Sequence, residues 1–407
     1  MTAPHHGTLL FYCQHSLGLG HLVRSLALAE GLASRFDVVL LNGGRFPEGV
    51  DPPRGVEVVN LAPLGHDDEY QLISHDPSFT VEQAKAVRVR TVLAALAKRR
   101  PSALLIELYP FGRKKFAFEL LPLLETVEAL GERRPRVVCS LRDILVGQRR
   151  DQAGHDERAS TVSNRFLDAI LVHADPRFAR LEESFRPATP LGVPVHYTGF
   201  VTNAPIGTDP RAGRVPAGER LDRVIVSAGG GMVGEPLFRA AIDAQPILER
   251  AGLSTLVVAG PFAPPEAWAR LEAAAAERAG LDVVRYVDDL RAEIARSTVS
   301  VSQCGYNTTM DLLRAGVPAV VVPYSEGRED EQRRRAARLA GLGVLGVVES
   351  TELAGPAGGA RFAEAVLEAR TRPEVGTPFD LDGAARSAEL IAGLVGAGAA
   401  TVLGAGR

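Results

Sequence analysis

Short runs of consecutive apolar residues alternate along the chain with segments in which apolar positions recur at helical spacing. The first run, TLLFYCQ (8–14), leads into a glycine-containing loop (15–21), a helical pattern from residue 22 onward and the run DVVLLN (37–42). This order predicts a βαβ unit. Similar buried runs follow at ALLIEL (103–108), RVVCSL (136–141) and AILVHA (169–174). Continuous apolar strands separated by helices are typical of a parallel sheet that is covered on both faces.

The pattern breaks off and restarts near the middle of the chain. Residues 201–220 are rich in glycine and proline and show no apolar periodicity, which indicates a linker. A strand (222–228), a glycine loop (229–235) and a helix with Pro236 near its start then repeat the first arrangement. We therefore predict an α/β protein with two Rossmann-like, doubly wound parallel-sheet domains. The expected parts are an N-terminal domain (1–200), the linker (201–220), a C-terminal domain (221–378) and a helix with a tail (379–407) that packs back on the N-terminal domain.

Charge and cysteine content exclude several classes of protein. The 407 residues contain 46 Lys and Arg against 49 Asp and Glu, a net charge of −3, so a nucleic-acid partner is not expected. The three cysteines are far apart and lack metal-ligand spacing, which favours a reducing cytoplasm over a disulfide or zinc scaffold. The start shows no signal-peptide pattern, and the uncharged stretch 390–406 is too short and too rich in Gly and Ala to predict an integral membrane segment.

The glycine loop of the second domain has the chemistry of a phosphate site. Gly229, Gly230 and Gly231 begin the sequence GGGMVG, which follows a strand and precedes a helix. Glycines allow a ligand to approach the backbone, and a helix N-terminus favours an anion. The next strand ends in TLVVAGPF without the acidic residue that holds the ribose of NAD or FAD, so a dinucleotide cofactor is disfavoured. A tight turn without a ligand is the alternative interpretation.

Two further loops of this domain follow predicted strands. In the first, Asn307 or Thr308 can cap the coming helix, or Thr308 and Thr309 can donate hydroxyls to a phosphate. Asp311, one turn further, can accept hydrogen bonds from a ribose. In the second, Glu331 and Gln332 stand where they can bind sugar hydroxyls, and the alternative for this charged segment is a solvated helix face.

Candidate catalytic residues lie at strand ends of the first domain. His21 starts a helix after the loop that contains Gly18 and Gly20, and an imidazole suits proton abstraction near neutral pH. Glu107 ends the strand ALLIE and is a second candidate base. Arg142 and Asp143 end another strand as an acceptor-side pair or a plain ion pair. The run 113–115 (RKK) can attract an anionic acceptor or form a solvated face.

Several of these segments resemble one known group of enzymes. The motifs GLGHLVRSLALAEGL, SAGGG, VSQCGYNTTMDLLRAGVPAVVVP and EDEQ look like those of MurG-type glycosyltransferases of the GT-B fold. The resemblance is best in 8–45 and 220–345, whereas 46–200 is more similar to uncharacterised predicted glycosyltransferases. The pattern GxGHxxRxxxLA also resembles the UDP-sugar hydrolases of pseudaminic acid synthesis. The first loop has Ser16 and Leu17 where the family usually has Gly-Gly, so we expect the fit of the acceptor to differ from that in the family.

The resemblance implies two domains that face a cleft, with the donor nucleotide sugar in the C-terminal domain. It places Gly229 to Gly231 at the diphosphate, with Gly305 and Thr308 beside the phosphates. It also implies that Asp311 meets the ribose, where the family usually has Glu, and that the backbone of Tyr286 and Val287 meets the base. By the same similarity, Glu331 and Gln332 hold the sugar and His21 is the loop histidine of the N-terminal domain.

These observations lead to a hypothesis of metal-independent, inverting transfer of a sugar from a nucleoside-diphosphate sugar to an acceptor hydroxyl. UDP is favoured by the resemblance, and the acceptor is a small molecule or a lipid-linked one. The nucleotide sugar is a substrate, so no cofactor is expected, and no residues are assigned to a metal. Two alternatives remain open, namely a nucleotide-sugar hydrolase and a non-catalytic nucleotide-sugar-binding protein. The sequence does not fix the oligomeric state.

Overall fold

The computed structural model of the chain describes residues 5–15, 20–44, 46, 51–67, 71–145, 149–202, 213–231, 233–324, 330–372, 374 and 378–404, with side chains described up to 397. The chain divides into two compact units. Unit 1 comprises Met1–Gly207 and Phe379–Arg407, and unit 2 comprises Thr208–Pro378. Each unit is described by itself.

Strands and helices alternate through both units. The strands are β1 (Thr8–Cys13), β2 (Asp37–Asn42), β3 (Val56–Asn60), β4 (Leu64–His66), β5 (Leu72–Ser74), β6 (Ala103–Glu107), β7 (Arg136–Arg142), β8 (Ala169–His173), β9 (Val195–Tyr197), β10 (Leu221–Ser227), β11 (Ser254–Val258), β12 (Leu281–Val284), β13 (Ser297–Ser302), β14 (Ala319–Val321) and β15 (Gly346–Val347). The helices are α1 (Gly20–Leu32), α2 (Val81–Arg99), α3 (Ala117–Ala129), α4 (Gln152–Phe166), α5 (Glu235–Arg250), α6 (Pro265–Glu277), α7 (Leu290–Ala295), α8 (Tyr306–Ala315), α9 (Glu331–Gly341), α10 (Gly358–Arg370) and α11 (Gly383–Gly404).

The described part of unit 1 contains a parallel sheet of seven strands in the order β3-β2-β1-β6-β7-β8-β9. The central strands are buried apolar runs, as expected where helices cover both faces. The chain moves outward from β1 through β2 to β3 and then restarts at β6 on the other side of β1. This reversal makes the carboxyl ends of β1 and β6 a topological switch point, where ligands bind in open α/β sheets.

The two faces of the unit 1 sheet are covered by different kinds of buried side chain. On one face, alternate residues of β1 (Leu9, Phe11, Cys13) belong to an apolar core that includes residues of α1 and α11. Helices α1 and α11 pack closely, because a Cβ on Gly31 would lie 2.7 Å from the Cβ of Ala384. On the other face, Tyr12 meets polar side chains of α2 and α3. The sheet therefore carries an apolar face and a face with a buried polar cluster.

The described part of unit 2 contains a parallel sheet of six strands in the order β12-β11-β10-β13-β14-β15. Helices α5 and α10 supply much of its apolar core, which includes Leu237, Phe238 and Phe362. The order of strands reverses between β10 and β13, so this sheet has its own switch point. The prediction of two Rossmann-like, doubly wound parallel-sheet domains is confirmed. Within the described ranges, no helix is both long enough and apolar enough to cross a membrane.

Candidate functional site

The switch point of unit 1 brings His21 and Glu107 together. Helix α1 begins at Gly20, which is exposed, and presents His21 in its first turn, whereas Gly18 lies outside the described residues. Glu107 is the last residue of β6, and its side chain is fully buried. The Nδ1 atom of His21 lies 2.7 Å from Glu107 Oε1. The imidazole remains 20% exposed, so one end of this pair reaches solvent.

Two arginines hold the Glu107 carboxylate in place. Arg24 Nη2 donates a hydrogen bond to Oε1 at 2.6 Å, and Arg113 donates from Nη2 and Nε to Oε2 at 3.1 and 3.2 Å. Both carboxylate oxygens therefore accept charge-assisted hydrogen bonds. Burial alone would raise the pKa of Glu107, but the charge that His21 carries in acid, the charges of Arg113 and Arg24 and the hydrogen bond with His21 outweigh it and hold that pKa below its usual range. Glu107 is a carboxylate near neutral pH.

The same surroundings favour a neutral His21. Burial is the main cause that lowers the pKa of His21 to about 4, and the charges of Arg113 and Arg142 act in the same direction against the attraction of Glu107. Because an ionised Glu107 only accepts hydrogen bonds, Nδ1 must carry the imidazole proton. The Nε2 lone pair is then available to accept a proton, as a general base requires.

Arg142 and Asp143, which the sequence suggests as an acceptor-side pair or a plain ion pair, lie at the end of β7 and directly after it. Arg142 ends β7, and its charge reaches His21 strongly enough to lower the pKa of the imidazole. Asp143 is buried, and its Oδ1 accepts a hydrogen bond from the backbone N–H of Ile144 at 2.9 Å. Arg142 thus belongs to the surroundings of His21, and Asp143 shapes the turn that follows the strand.

Sequence reasoning assigned no role to two polar residues beside this pair, Arg24 and His173. Arg24 lies three residues after His21 and hence on a neighbouring part of the same helix face, which was the available signal. His173 ends the apolar run AILVH, the same pattern that identified Glu107 in ALLIE. It is fully buried, with Ser140 Oγ 2.7 Å from Nε2 and Thr198 Oγ1 2.9 Å from Nδ1. Burial lowers the pKa of His173 to about 3.

In unit 2, the loop after β10 approaches the loop after β11 closely. Gly229 and Gly231 have φ values of +57° and +88°, and a Cβ on Gly231 would lie 2.2 Å from the carbonyl oxygen of Ala259. Phe262 N donates a hydrogen bond to Gly230 O at 2.9 Å. A side chain at position 231 has no room, so the sequence requires glycine there for geometric reasons. The loop leads into the N-terminus of α5.

The loop after β13 opens helix α8 without a side-chain cap among the described residues. The N-cap is Gly305, so the expectation that Asn307 or Thr308 caps this helix is wrong, because the helix already begins at Tyr306. Thr308 is buried, and Thr309 donates its hydroxyl to Gly305 O at 2.8 Å. Backbone N–H groups in the first turn of a helix, together with the helix dipole, favour an anion.

Glu331 and Gln332 connect neighbouring loops of unit 2. Gln332 Oε1 accepts hydrogen bonds from the backbone N–H groups of Cys304 and Tyr324, each at 3.1 Å. Glu331 Oε1 lies 3.4 Å from the fully buried Arg335, which donates to Cys304 O at 2.7 Å. These side chains hold the loops after β13 and β14 together at the carboxyl edge of the sheet.

The remaining predicted donor residues lie on the other side of the switch point or along α8. Tyr286 and Val287 follow β12, and Tyr286 is 70% exposed. Asp311 is half-buried in α8, and burial together with the charge of Asp289 raises its pKa to about 7. The structure thus brings the predicted groups of unit 2 to one edge of one sheet, in loops that follow β10, β12, β13 and β14 or in the helices that these loops open.

Comparison with known proteins shows what the C-terminal part of the chain resembles and which fold the chain has. Residues 225–378 match the glycosyltransferase family 28 C-terminal domain. The calicheamicin glycosyltransferase CalG4 superposes with a TM-score of 0.58 at 16% identity, over 97% of this chain and 96% of that chain. The chain therefore has the GT-B fold of two Rossmann-like domains. The structure of Acinetobacter baumannii MurG matches with a TM-score of 0.55 at 14% identity, over 95% of this chain and 99% of that chain.

Curated relatives show which glycosyltransferases the chain resembles in sequence. The chain is 30% identical over 183 residues to the UDP-N-acetylglucosamine–N-acetylmuramyl-(pentapeptide) pyrophosphoryl-undecaprenol N-acetylglucosamine transferase of Brucella abortus (strain S19), which is 44% of this chain and 46% of the relative. It is 33% identical over 136 residues to the Acidothermus cellulolyticus enzyme of the same name, 32% of this chain and 35% of that one. The matched part spans about half or less of these relatives. The resemblance to MurG-like GT-B glycosyltransferases that the motifs indicate is confirmed.

Proposed function

We propose that this protein transfers a sugar from a nucleoside-diphosphate sugar to an acceptor hydroxyl, with inversion at the anomeric carbon and without a metal or other cofactor. The observation that carries the proposal is the 2.7 Å contact between His21 and Glu107 at the unit 1 switch point. It supplies an oriented, neutral imidazole whose second nitrogen is available for proton abstraction. The match of residues 225–378 to the family 28 domain supports a nucleotide-sugar donor.

In this mechanism unit 1 supplies the base. His21 Nε2 takes the proton of the acceptor hydroxyl while Nδ1–H stays hydrogen-bonded to Glu107. The acceptor oxygen then forms a bond to the anomeric carbon, and the bond between that carbon and the diphosphate oxygen breaks. Glu107 orients the imidazole and stabilises its protonated form as the reaction proceeds, as the carboxylate does in other histidine-based catalytic arrangements. We assign Glu107 this role rather than proton abstraction, because both of its oxygens already accept hydrogen bonds.

Unit 2 supplies the donor site in the same proposal. The electron pair of the broken bond leaves with the nucleoside diphosphate, whose charge is held by the Gly229–Gly231 loop and the N-terminus of α8. We assign Asp311 to the ribose, Tyr286 and Val287 to the base, and Glu331 and Gln332 to the sugar. Because the curated relatives are named for UDP-N-acetylglucosamine as donor, we propose UDP as the nucleotide. Their acceptor is lipid-linked, and the acceptor proposed here is an alcohol of that or a smaller kind.

A nucleotide-sugar hydrolase is the second candidate. The imidazole of His21 is 20% exposed, so water can reach the same base. The two activities separate when donor breakdown is measured with and without acceptor alcohols. Transfer predicts that nucleoside diphosphate release depends on the acceptor, whereas hydrolysis predicts equally fast release in its absence. Binding of a nucleotide sugar without turnover in either assay would instead indicate a non-catalytic binding protein.

The donor site is tested first by thermal stabilisation with UDP, GDP, dTDP, ADP and NAD. A ligand at 100 times its dissociation constant adds about 2.7 kcal/mol to the free energy of unfolding, and we expect this with UDP. Gly231→Ala should abolish the effect because its Cβ has no room beside Ala259 O. Gly343→Ala is the matched control, since Gly343 also has positive φ (+70°) but open space around its Cβ. Stabilisation by NAD alone would contradict the proposal.

The base is tested by substitution of His21. We expect His21→Ala to lower turnover by about 10²- to 10⁴-fold while UDP still stabilises the protein, because the donor contacts are assigned to unit 2. Full turnover by this variant with the true acceptor would overturn the assignment of the base. Loss of both turnover and UDP binding would show that the substitution disturbs more than proton transfer.

A further inference from the structure

We propose that Arg113 is a positioning residue that acts with Arg24 as a guanidinium clamp on Glu107. The clamp fixes the carboxylate as an anion aimed at His21 Nδ1, and the positive charges of the clamp weaken the pull of that anion on a second imidazole proton. Together with burial, the clamp keeps His21 a neutral base at a pH below the range of an ordinary histidine. The catalytic consequence rests on the proposed function, whereas the effect on the imidazole itself does not.

The two carboxylate oxygens of Glu107 accept hydrogen bonds from different partners, and this shows how the clamp is built. Oε1 accepts from His21 Nδ1 at 2.7 Å and from Arg24 Nη2 at 2.6 Å, while Oε2 accepts from Arg113 Nη2 and Nε at 3.1 and 3.2 Å. Glu107 is fully buried, and Arg24 is only 3% exposed. The carboxylate cannot turn toward solvent, and rotation toward His21 would break the contacts to Arg113. Its orientation is therefore fixed from two sides.

Burial is the main reason why the imidazole stays neutral, and the balance of charge around Glu107 adds to it. A carboxylate beside a histidine ordinarily favours the protonated ring. Here the single negative charge of Glu107 already faces two guanidinium groups, so a protonated His21 would add positive charge to a cluster that carries an excess of it. Among the described residues, the groups that act on His21 or share Glu107 with it come from several neighbouring elements: Arg24 of α1, Cys13 of β1, His15 after β1, Glu107 of β6, Arg113 after β6, Cys139 and Arg142 of β7 and His173 of β8.

The backbone supports a specific role for Arg113. Among the described residues, positive φ outside glycine occurs at Arg100, Leu108 and Arg113, with +66° at Leu108 and +58° at Arg113. Two of the three thus lie in the short loop that follows Glu107 and brings Arg113 back beside it. Side chains with a Cβ rarely adopt this conformation, and such strain persists where the surroundings enforce it. The strained loop places the Arg113 guanidinium against Oε2 of Glu107.

Arg113 is the member of the clamp that can be changed with the least damage to the core. Its side chain is 13% exposed, in contrast to the buried Arg24. Arg113→Asn removes the charge, and asparagine tolerates the left-handed backbone conformation. Arg113→Lys retains a charge without the planar guanidinium. Lys115→Gln is the matched control, because it removes a positive charge two residues further along the chain, from an exposed side chain, whereas Glu107 is fully buried.

The test is an NMR titration of the imidazole resonances in the full-length protein, with His21 assigned by its loss in His21→Asn. We expect the wild-type His21 to remain neutral down to about pH 4. Arg113→Asn should raise the proton affinity of His21 at least tenfold, Arg113→Lys should raise it less, and Lys115→Gln should leave it unchanged. Circular dichroism melting of each variant establishes that it is folded; if Arg113→Asn does not fold, Arg113→Lys against Lys115→Gln supplies the comparison.

A His21 titration that is the same in wild type and in the folded Arg113 variants would overturn the clamp. If a donor and acceptor turn over, the acid limb of kcat/KM should move to higher pH in Arg113→Asn together with the NMR titration. An NMR shift in a protein that shows no turnover would leave the clamp standing and remove the proposed function. Turnover with an acid limb and an NMR titration that are the same in wild type and in the Arg113 variants would leave the proposed function standing and overturn the clamp.

Discussion

Unit 1 contains two buried arginine–glutamate clusters on opposite faces of the same sheet, and they differ in one respect. On the face covered by α2 and α3, Arg88 Nη2 and Nε contact Glu119 at 2.6 and 2.9 Å, and both side chains are fully buried. On the face covered by α1 and α11, Glu107 accepts hydrogen bonds from Arg24 and Arg113. Each cluster pairs a buried carboxylate with guanidinium, and each lies near the carboxyl end of β1.

The cluster of Arg88 is closed. Its guanidinium also donates to the carbonyl oxygens of Gly43 and Ala62 at 2.7 and 2.9 Å and to Gln14 Oε1 at 2.7 Å. Tyr12, fully buried, donates its hydroxyl to Glu119. The donors of Arg88 therefore all have partners within the protein. The cluster ties α2 and α3 to the ends of β1 and β2, which is a structural role.

The cluster of Glu107 is open at one end. Its chain of contacts finishes on His21, whose ring is 20% exposed and can exchange a proton with a substrate or solvent. The comparison teaches that a buried ion pair is not by itself a sign of function. What distinguishes the two clusters is a titratable group at the end of the network that reaches the surface at the switch point of the sheet.

The largest expected effect is a loss in the free energy of unfolding when the Arg88 cluster is disrupted. Arg88→Ala leaves Glu119 buried without its main partner, and removal of one member of a buried pair costs about 3–5 kcal/mol. Denaturant unfolding of unit 1 measures this loss. The paired variant Arg88→Met/Glu119→Gln should lose less than Arg88→Ala, because no uncompensated charge remains. If Arg88→Ala lost no more stability than Arg88→Met/Glu119→Gln, the structural role of this buried cluster would be contradicted.

The next expected effect is a loss of stability at acid pH. It should arise from the histidines on the face of the sheet that carries Glu107. Burial lowers the pKa of His21 to about 4 and of His173 to about 3, so below pH 6.5 the unfolded chain binds more protons than the folded one. Stability is complete above that pH and falls as the pH drops toward 4, by up to about 1.4 kcal/mol per pH unit for each histidine.

The variant His21→Asn/His173→Gln should therefore have a shallower pH dependence of unfolding between pH 6.5 and 4. Some slope remains, because burial also lowers the pKa of His15 and His155. Arg88→Met/Glu119→Gln is the control, since that cluster contains no histidine. An unchanged slope in the double histidine variant would refute this account of acid sensitivity.

The smallest expected effect is that of Tyr12→Phe. Arg88 and Glu119 keep their remaining contacts without the hydroxyl, so we expect a loss of about 1 kcal/mol in the free energy of unfolding. The substitution lies on the face opposite His21 and should leave the NMR titration of the imidazole unchanged, in contrast to Arg113→Asn. A shifted His21 titration in Tyr12→Phe would show that the two clusters are coupled through the sheet.

The fold and part of the site could be predicted from the sequence because both depend on patterns along the chain. Continuous apolar strands identified the parallel sheets, and the rule that polar residues at strand ends meet at one edge located His21 and Glu107. Arg88 and Glu119 could not be found in this way. Each is one charged residue in a helix, and nothing in the spacing distinguishes a buried charge from a solvated one.

Contacts that depend on side-chain conformation were also beyond the sequence. Thr309 was considered for a phosphate, yet its hydroxyl donates to Gly305 O, and Gln332 Oε1 accepts from two backbone N–H groups. The choice between a ligand and the backbone as partner is decided by how the loops after β13 and β14 close. The cap of α8 was misjudged for a similar reason, because the helix starts immediately after Gly305.

The path of the chain through the two units has a consequence for biosynthesis. Unit 1 starts at β1, but α11, with Ala388, Ile391 and Ala392 in the core beside α1, is translated only after all of unit 2. Domains fold as their segments emerge from the ribosome. The unit that is begun first is thus completed last, and its nascent core waits for α11 while unit 2 is made. A nonsense mutation between the two would spare the whole of unit 2 and strip a helix from unit 1.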